Sequence, residues 1–500
     1  MSASAVEERP VAIPAAGEIE KSERMLILAL GAFVILQLWI GMIGTSLWLD
    51  ETGTWWIIKD GPREAIHRAL SWSGQSPLFY LIEWAFSRVF GLNEIALRLP
   101  SVLATLAALW FLYDIARHLF HLRTAAASTF VFLCAGSFFA VDARPYALAI
   151  LCITAATWAL LRWSTTNRAV DAALFVAAGA LAAYAHCVLA LGLAASILYA
   201  VAIFRKEPAR LWRLGAMVLA IALLSLPLVP ELLHFYSTRS AHTFTGRPEA
   251  NEILTGLIPC ALTGGLVILV WLAMVIRRDI DLPVEYRHEN ALLAGVWALF
   301  APIVLAALSS LTDVHLFVDR YYSCALPGQA LIVGILIASI RPYAVRKVLL
   351  VVMGVGAILG QGKLRVTSHN NDDWRSAMEL LHREAGSAPV LVVSPFAEGA
   401  GFDAVNDPTL RDILFAPELR YGMPPGAIRL PHVFAAKEHD ELEKIAARLQ
   451  SEPRIYLIAD KPDRSYETWL AGRLARHCTS APLEQPFGYV WVARFLCEKH

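Results

Sequence analysis

The chain has 500 residues, 57% hydrophobic and 17% charged, with a mean hydropathy of +0.52. A soluble domain carries about a quarter charged residues, so an ordinary soluble enzyme is excluded. Lysine plus arginine equals aspartate plus glutamate at 43 each, which gives no basic surface for nucleic acid.

Residues 1–23, with Glu7, Glu8, Arg9, Glu18, Glu20, Lys21 and Glu23, read as a polar lead. The first apolar run is too long for a cleaved leader and has no clear small-residue cleavage site after it. A membrane span needs roughly 20 apolar residues. Residues 24–46 supply the first. Further candidates lie near 97–116, 124–141, 145–162, 170–185, 187–204, 212–229, 253–276, 291–310, 322–340 and 346–362. The expected fold class is therefore mostly α: a polytopic helical membrane protein of about eleven spans, followed by a C-terminal α/β domain. Its expected parts are the tail 1–23, a transmembrane domain 24–362 and an extracytoplasmic domain 363–500.

Orientation follows from basic residues in short loops. Arg117 and Arg123, Arg162 and Arg168, Arg205, Lys206, Arg210 and Arg213, Arg277, Arg278 and Arg287, and Arg341, Arg346 and Lys347 fall in one alternate set of loops. The other set holds only Arg144, Arg239, Arg247 and Arg320, apart from the long loop 47–96 with Lys59, Arg63, Arg68 and Arg88. The first set is expected in the cytoplasm, with the N-terminus. Loops 47–96, 230–252 and 311–321 and everything beyond about 363 are expected outside. Loop 47–96 contains an amphipathic segment, 62–72, and a second segment apolar enough to lie in the interface. In the tail, Asp372–Ala385 and Lys437–Gln450 read as helices, with Asn370, Asn371 or Asp372 at the first N-cap. Pro389–Ser394, Arg454–Ala459 and Gly488–Leu496 read as strands.

Five cysteines, Cys134, Cys152, Cys187, Cys260 and Cys324, lie in or beside apolar runs, where a buried thiol is the ordinary reading. Cys478 and Cys497 are either a disulfide or two free thiols. No histidine pair has zinc-ligand spacing, and there is no phosphate loop or dinucleotide turn. Trp48-Leu49-Asp50-Glu51 sets two carboxylates at the end of the first span, suited to general-base work or cation binding. Taken alone, such a pair is more often part of an aromatic belt, here Trp48, Trp55 and Trp56, with solvated acids beside it.

The order of motifs narrows this. After the acidic pair come Ser76-Pro77-Leu78-Phe79-Tyr80, then Phe90-Gly91-Leu92-Asn93-Glu94-Ile95-Ala96-Leu97-Arg98-Leu99-Pro100-Ser101, and later Arg320-Tyr321-Tyr322-Ser323-Cys324-Ala325-Leu326-Pro327. This order resembles the GT-C glycosyltransferases, in particular the protein O-mannosyltransferase-like branch, with its bacterial aminoarabinose transferases and rhizobial lipopolysaccharide galacturonosyltransferases. The resemblance is strong over 45–205 and weaker beyond.

It implies a multi-pass enzyme of the bacterial inner membrane that moves a sugar from a polyprenyl-phosphate donor to a lipid, glycan or protein acceptor outside. Asp50 is the general base by this resemblance, and Glu51 orients the site or a nearby cation. Arg320, Arg144 and Lys59 are the candidates for the donor phosphate, with His186 and His242 weaker ones. The other reading of Arg320 is a snorkelling charge paired with Asp319. Asp142, Tyr146, His186 and Tyr80 are expected to support the site or meet the acceptor; Asp142 and Arg144 equally read as an ion pair holding a helical hairpin. No cofactor is required by the resemblance, though Asp50, Glu51 and Asp142 could take a divalent cation. The alternatives are a flippase for lipid-linked sugars, which calls for charges deep in helices and repeated halves, and a non-catalytic assembly protein, in which Asp50 would be dispensable.

Overall fold

A computed structural model provides the structure, describing residues 19–73, 76–230, 232–233, 246–281, 288–360, 372–435, 438–460, 464–474, 478–483 and 487–497. Most of the polar lead, Gly74-Gln75, His234, Arg239 and His242 of the loop 230–252, Arg287, and Asn370-Asn371 lie outside the described residues.

Seven described helices are long and apolar enough to cross a membrane: Lys21–Ile40, Glu94–Leu119, Leu122–Ala140, Tyr146–Thr166, Pro208–Leu228, His288–Leu311 and Tyr343–Gly360. Four shorter apolar helices, Ala169–Ala185, Leu189–Phe204, Thr263–Ile276 and Ser323–Ser339, coincide with the remaining expected spans. The chain is an integral, multi-pass membrane protein. Its helices are labelled as follows: α1 Lys21–Val34, α2 Leu49–Ile58, α3 Pro62–Arg68, α4 Leu78–Phe90, α5 Glu94–Leu119, α6 Leu122–Ala140, α7 Tyr146–Thr166, α8 Ala169–Ala185, α9 Leu193–Phe204 and α10 Pro208–Ser225.

Helix α6 runs through the middle of the bundle against α5 and the helix Leu326–Ser339. Small residues permit this. A Cβ at Gly334 would lie 2.1 Å from Ser128 Oγ, and one at Gly328 would lie 2.5 Å from the Ala298 nitrogen. In lipid there is little hydrophobic drive between helices, so close backbone approach through small residues supplies the association. The first and last spans are tied by a buried ion pair, Arg346 Nη2 to Glu23 Oε2 at 2.9 Å.

Three boundaries differ from expectation. Glu23 belongs to α1 and not to the polar lead. The first span leaves the helix after Ile40, and not near 46. The span expected over 253–276 is broken into Ala250–Leu257 and Ala261–Ile276. Pro259 lies in the break and carries no N–H for a helical bond, and Cys260 takes a left-handed φ of 55°.

The C-terminal region forms one five-stranded mixed sheet of order β2-β1-β3-β5-β4. The strands are β1 Val390–Val393, β2 Ile428–Leu430, β3 Arg454–Asp460, β4 Cys478–Pro482 and β5 Val490–Cys497. β1 lies parallel to β2 and β3, with Leu391 opposite Ile428 and Leu457. β5 is antiparallel to β3 and β4. Every residue of β1 is buried, as expected of a central strand covered on both faces. Val390 and Val392 join a core with Trp374, Met378 and Leu381; Leu391 and Val393 join another with Leu442 and Leu470. The three expected strands are β1, β3 and β5. The two not foreseen, β2 and β4, are edge strands: β2 has only three residues, and β4 lacks an alternating apolar pattern.

This sheet region sits on the loop 47–96. The Tyr421 hydroxyl accepts from the Leu47 N–H at 2.7 Å and donates to Glu94 Oε1 at 3.0 Å. Glu94 also pairs with Arg375 at 2.9 Å. The two regions therefore share one end of the bundle. Basic loops meet at the other end, where Arg210 donates to the Ser164 carbonyl and Arg213 to Asn167.

Cys478 and Cys497 form a disulfide between β4 and β5; the other five cysteines are not disulfide-bonded. Closing a loop of this length removes entropy from the unfolded chain worth about 3 kcal/mol. Cys478→Ser is expected to lower the unfolding temperature of the sheet region, and reductant should lower the parent to the same value without further effect on the variant. Thermal unfolding in detergent with and without reductant measures this.

Candidate active site

The acidic pair opens α2. Carboxylates are favoured in a helix's first turn, where N–H groups point outward unpaired. Successive helical residues lie about 100° apart around the axis, so Asp50 and Glu51 face different surroundings. Glu51 is fully buried. It accepts from the Trp48 N–H at 3.1 Å, the Ala143 N–H at 2.9 Å and Arg98 Nε at 2.7 Å, and it also pairs with Arg98 Nη2. Arg98, equally buried, donates onward to the carbonyls of Met42 at 2.9 Å, Ile43 at 3.1 Å, Thr45 at 2.9 Å and Ser46 at 2.9 Å. One ion pair thus joins the end of the first span, the start of α2, the second span and the turn before α7.

Asp50 keeps 21% of its side chain exposed and pairs with Arg320 at 2.8 Å. The Arg144 guanidinium donates to the Asp50 carbonyl at 3.3 Å. Arg320 is therefore the partner of Asp50 across the bundle, while Asp319 accepts from the Tyr322 hydroxyl. Asp142 is buried and accepts from the Trp48 indole at 3.0 Å. Burial, reinforced by the charge of Glu51, holds the Asp142 carboxyl well above the usual carboxylate range. His186 stacks between Tyr146 at 5.5 Å and Tyr321 at 5.7 Å. Neither of its ring nitrogens has a hydrogen-bond partner among the described residues. Burial, and then the charges of Arg144 and Arg320, push His186 down to about 3, so the ring is neutral. Tyr80 is buried and lies near enough to Arg144 to affect its ionisation.

An apolar cavity of about 550 Å³ opens beside this group, walled by Phe138, Phe139, Ile258 and Leu326 and bounded at its polar end by Asp142 and Arg320. It suits a ligand with a hydrocarbon part and an anionic head.

Two expected roles do not fit the geometry. Lys59 caps the far end of α2, nine residues and so about 13 Å along the axis from Asp50. Its ammonium sits over Trp55 at 5.2 Å and near Asp60 at 3.9 Å, so it is not grouped with Arg320 and Arg144. Nor do Asp50, Glu51 and Asp142 converge as a cation site. Glu51 is committed to Arg98, and no group of three His, Cys, Asp or Glu among the described residues is arranged to hold a metal ion. The N-cap in the tail is Asp373, which accepts from the Ser376 N–H at 3.1 Å; Asp372 instead accepts from the Leu49 N–H at 3.4 Å.

Arg98 was not singled out by sequence reasoning, although a charge inside an expected span is a signal of function or pairing. Glu83, in α4 of the loop 47–96, was also not singled out. It is buried, its carboxyl lacks a hydrogen-bond partner among the described residues, and burial followed by the charges of Glu51 and Asp142 raises it well above the usual range.

Removing one member of a buried ion pair strands the other, at about 3–5 kcal/mol. Glu51→Gln or Arg98→Met is expected to lower thermal stability sharply. Arg98→Met with Glu51→Gln together should cost less than the sum of the two single changes. Additive losses in a thermal-shift double-mutant cycle would show that the pair is not coupled.

A family model described as dolichyl-phosphate-mannose-protein mannosyltransferase matches residues 74–234. None of the curated proteins matches the chain by sequence. Among solved structures, ArnT from Cupriavidus metallidurans superimposes with a TM-score of 0.55 at 15% identity in its apo state, covering 95% of this chain and 98% of that one. The same protein bound to undecaprenyl phosphate gives 0.55 at 14% identity with the same coverage. The archaeal oligosaccharyltransferase AglB from Archaeoglobus fulgidus, in complex with an inhibitory peptide and a dolichol-phosphate, gives 0.51 at 11% identity, covering 94% and 74%. At such identities the likeness is one of fold, and the chain has the GT-C fold of these membrane proteins.

Proposed function

We propose that this protein is a membrane glycosyltransferase that moves a hexosyl or pentosyl group from a polyprenyl-phosphate-linked donor to an extracytoplasmic acceptor, with Asp50 as general base. The observation that carries the reading is the half-buried Asp50 carboxylate held against Arg320, which itself lines the polar end of an apolar cavity. The match to a mannosyltransferase family model and the fold shared with an undecaprenyl-phosphate-bound protein support the same reading.

In this mechanism the donor's lipid lies along the apolar wall and its phosphate draws Arg320, with Arg144 nearby. Bidentate guanidinium contacts suit such a group. Asp50 takes the proton from the acceptor hydroxyl as that oxygen attacks the anomeric carbon. The bond from that carbon to the phosphate oxygen breaks, and polyprenyl phosphate leaves with the electron pair. A phosphate leaving group needs little protonation, so one base suffices, unlike the two carboxyls of glycoside hydrolysis. Glu51 is a positioning residue acting through α2. The neutral His186 and the Tyr146 and Tyr80 rings shape the space around the two arginines. The membrane is taken to be the bacterial inner membrane, with the Asp50 end of the bundle and the sheet region outside.

The test is transfer by reconstituted protein from a panel of polyprenyl-phosphate sugars. Asp50→Asn should lower turnover by about two to four orders of magnitude with unchanged thermal stability. Arg320→Ala should raise the KM for donor. Full turnover by Asp50→Asn would remove the base assignment, and an unchanged donor KM would remove Arg320 from the phosphate site.

A further inference from the structure

We propose a second, non-catalytic site: a cavity at the opposite end of the bundle from Asp50 that binds the phosphate headgroup of an anionic phospholipid. The cavity has a volume of about 950 Å³, larger than the one beside Asp50. It lies among the ends of α5, α7 and α9, the start of α10 and the start of the helix His288–Leu311. Along α7, Tyr146 at the first site and Arg162 at this one are separated by about 24 Å of helix axis, nearly the thickness of the hydrocarbon core.

The frame of the cavity is fixed by internal pairing. The Arg162 guanidinium stacks over Trp158 at 4.7 Å and pairs with the buried Asp171 at 3.3 Å. The Trp158 indole donates to Asp114 at 2.8 Å. Arg210 pairs with Glu207 at 3.0 Å and donates to the Ser164 carbonyl at 3.0 Å. These groups have their partners. Arg205 and Lys206, in the turn between α9 and α10, do not: both are exposed, and neither makes an ion pair or side-chain hydrogen bond among the described residues. Two adjacent cations thus outnumber Glu289, the one lining carboxylate without an ion pair among the described residues, in a cavity whose inner wall is Ile115, Leu119, Leu161 and Ile203.

That combination selects an anionic amphiphile. A soluble anion would gain the two charges but leave the apolar wall wet, whereas a phospholipid sets its phosphate on Arg205 and Lys206 and its glycerol and upper acyl carbons on the wall. Basic pockets between spanning helices hold anionic headgroups by the same physics. Trp212, in the first turn and a half of α10, is 80% exposed, as befits an aromatic at headgroup depth.

The test is native mass spectrometry of the full-length chain in detergent, titrated separately with phosphatidylglycerol and phosphatidylcholine. The parent should prefer phosphatidylglycerol. Arg205→Gln with Lys206→Gln should weaken that binding by about tenfold or more and leave phosphatidylcholine binding unaltered. Arg205→Lys with Lys206→Arg should restore it. Equal binding of the two lipids by the parent, or an undiminished preference in the glutamine variant, would overturn the proposal. Displacement of the lipid by millimolar glycerol 3-phosphate would also overturn it, by assigning the cavity to a soluble phosphate.

Discussion

Arg98 sits where no water reaches, and its guanidinium must find a protein partner for each N–H it carries, because a buried charge left unpaired costs several kcal/mol. It finds them in the Glu51 carboxylate and in the backbone carbonyls that close the first span. Those carbonyls belong to the turn that follows the first span, and the guanidinium donates to them as they satisfy its N–H groups. One side chain therefore meets two needs, and the chain from Met42 to Glu51 is fixed against α5. Glu51 reaches on to the Ala143 N–H, which fixes the turn bearing Asp142 and Arg144 in the same frame.

The neighbouring residue, Asp50, is what this frame delivers. Being next in the helix and turned by a fixed angle, it cannot share Glu51's burial. Its carboxylate stays partly exposed and meets Arg320, 270 residues away in the chain, at the polar end of the apolar cavity that Arg320 lines. Preorganised charges of this kind need little rearrangement when charge develops in a reaction. The sheet region closes over the same end of the bundle, with Tyr421 on Leu47 and Asp372 on Leu49, immediately before the acidic pair. A region far along the chain thereby helps to set the start of α2.

The spans were legible because lipid demands long apolar helices, and every candidate run but 253–276 coincides with one helical stretch. Where legibility failed, local chemistry overrode the run, as at Pro259. In the sheet region the central strands β1 and β3 announced themselves by unbroken apolar residues, while β2 and β4 are edges whose pairing comes from partners and not from pattern. Asp50 and Arg320 were visible as charges at the ends of expected spans in an ordered set of motifs. The division of labour between Asp50 and Glu51 was not, since adjacent acids look alike until burial separates them. Lys59 was misgrouped for a similar reason: sequence proximity to Asp50 hides the length of the helix between them. Arg98 stood inside a quoted motif, but only three-dimensional pairing reveals that it binds Glu51.

The most direct measurement is a cryo-electron microscopy structure of the full chain with a short-chain polyprenyl phosphate bound. The account predicts the phosphate on the Arg320 and Arg144 guanidinium groups, the lipid along Phe138 and Phe139, and the Asp50 carboxylate released from Arg320 and facing open space beside the phosphate. A phosphate seated at Lys59, or an Asp50 carboxylate still locked to Arg320 with the lipid bound elsewhere, would contradict it.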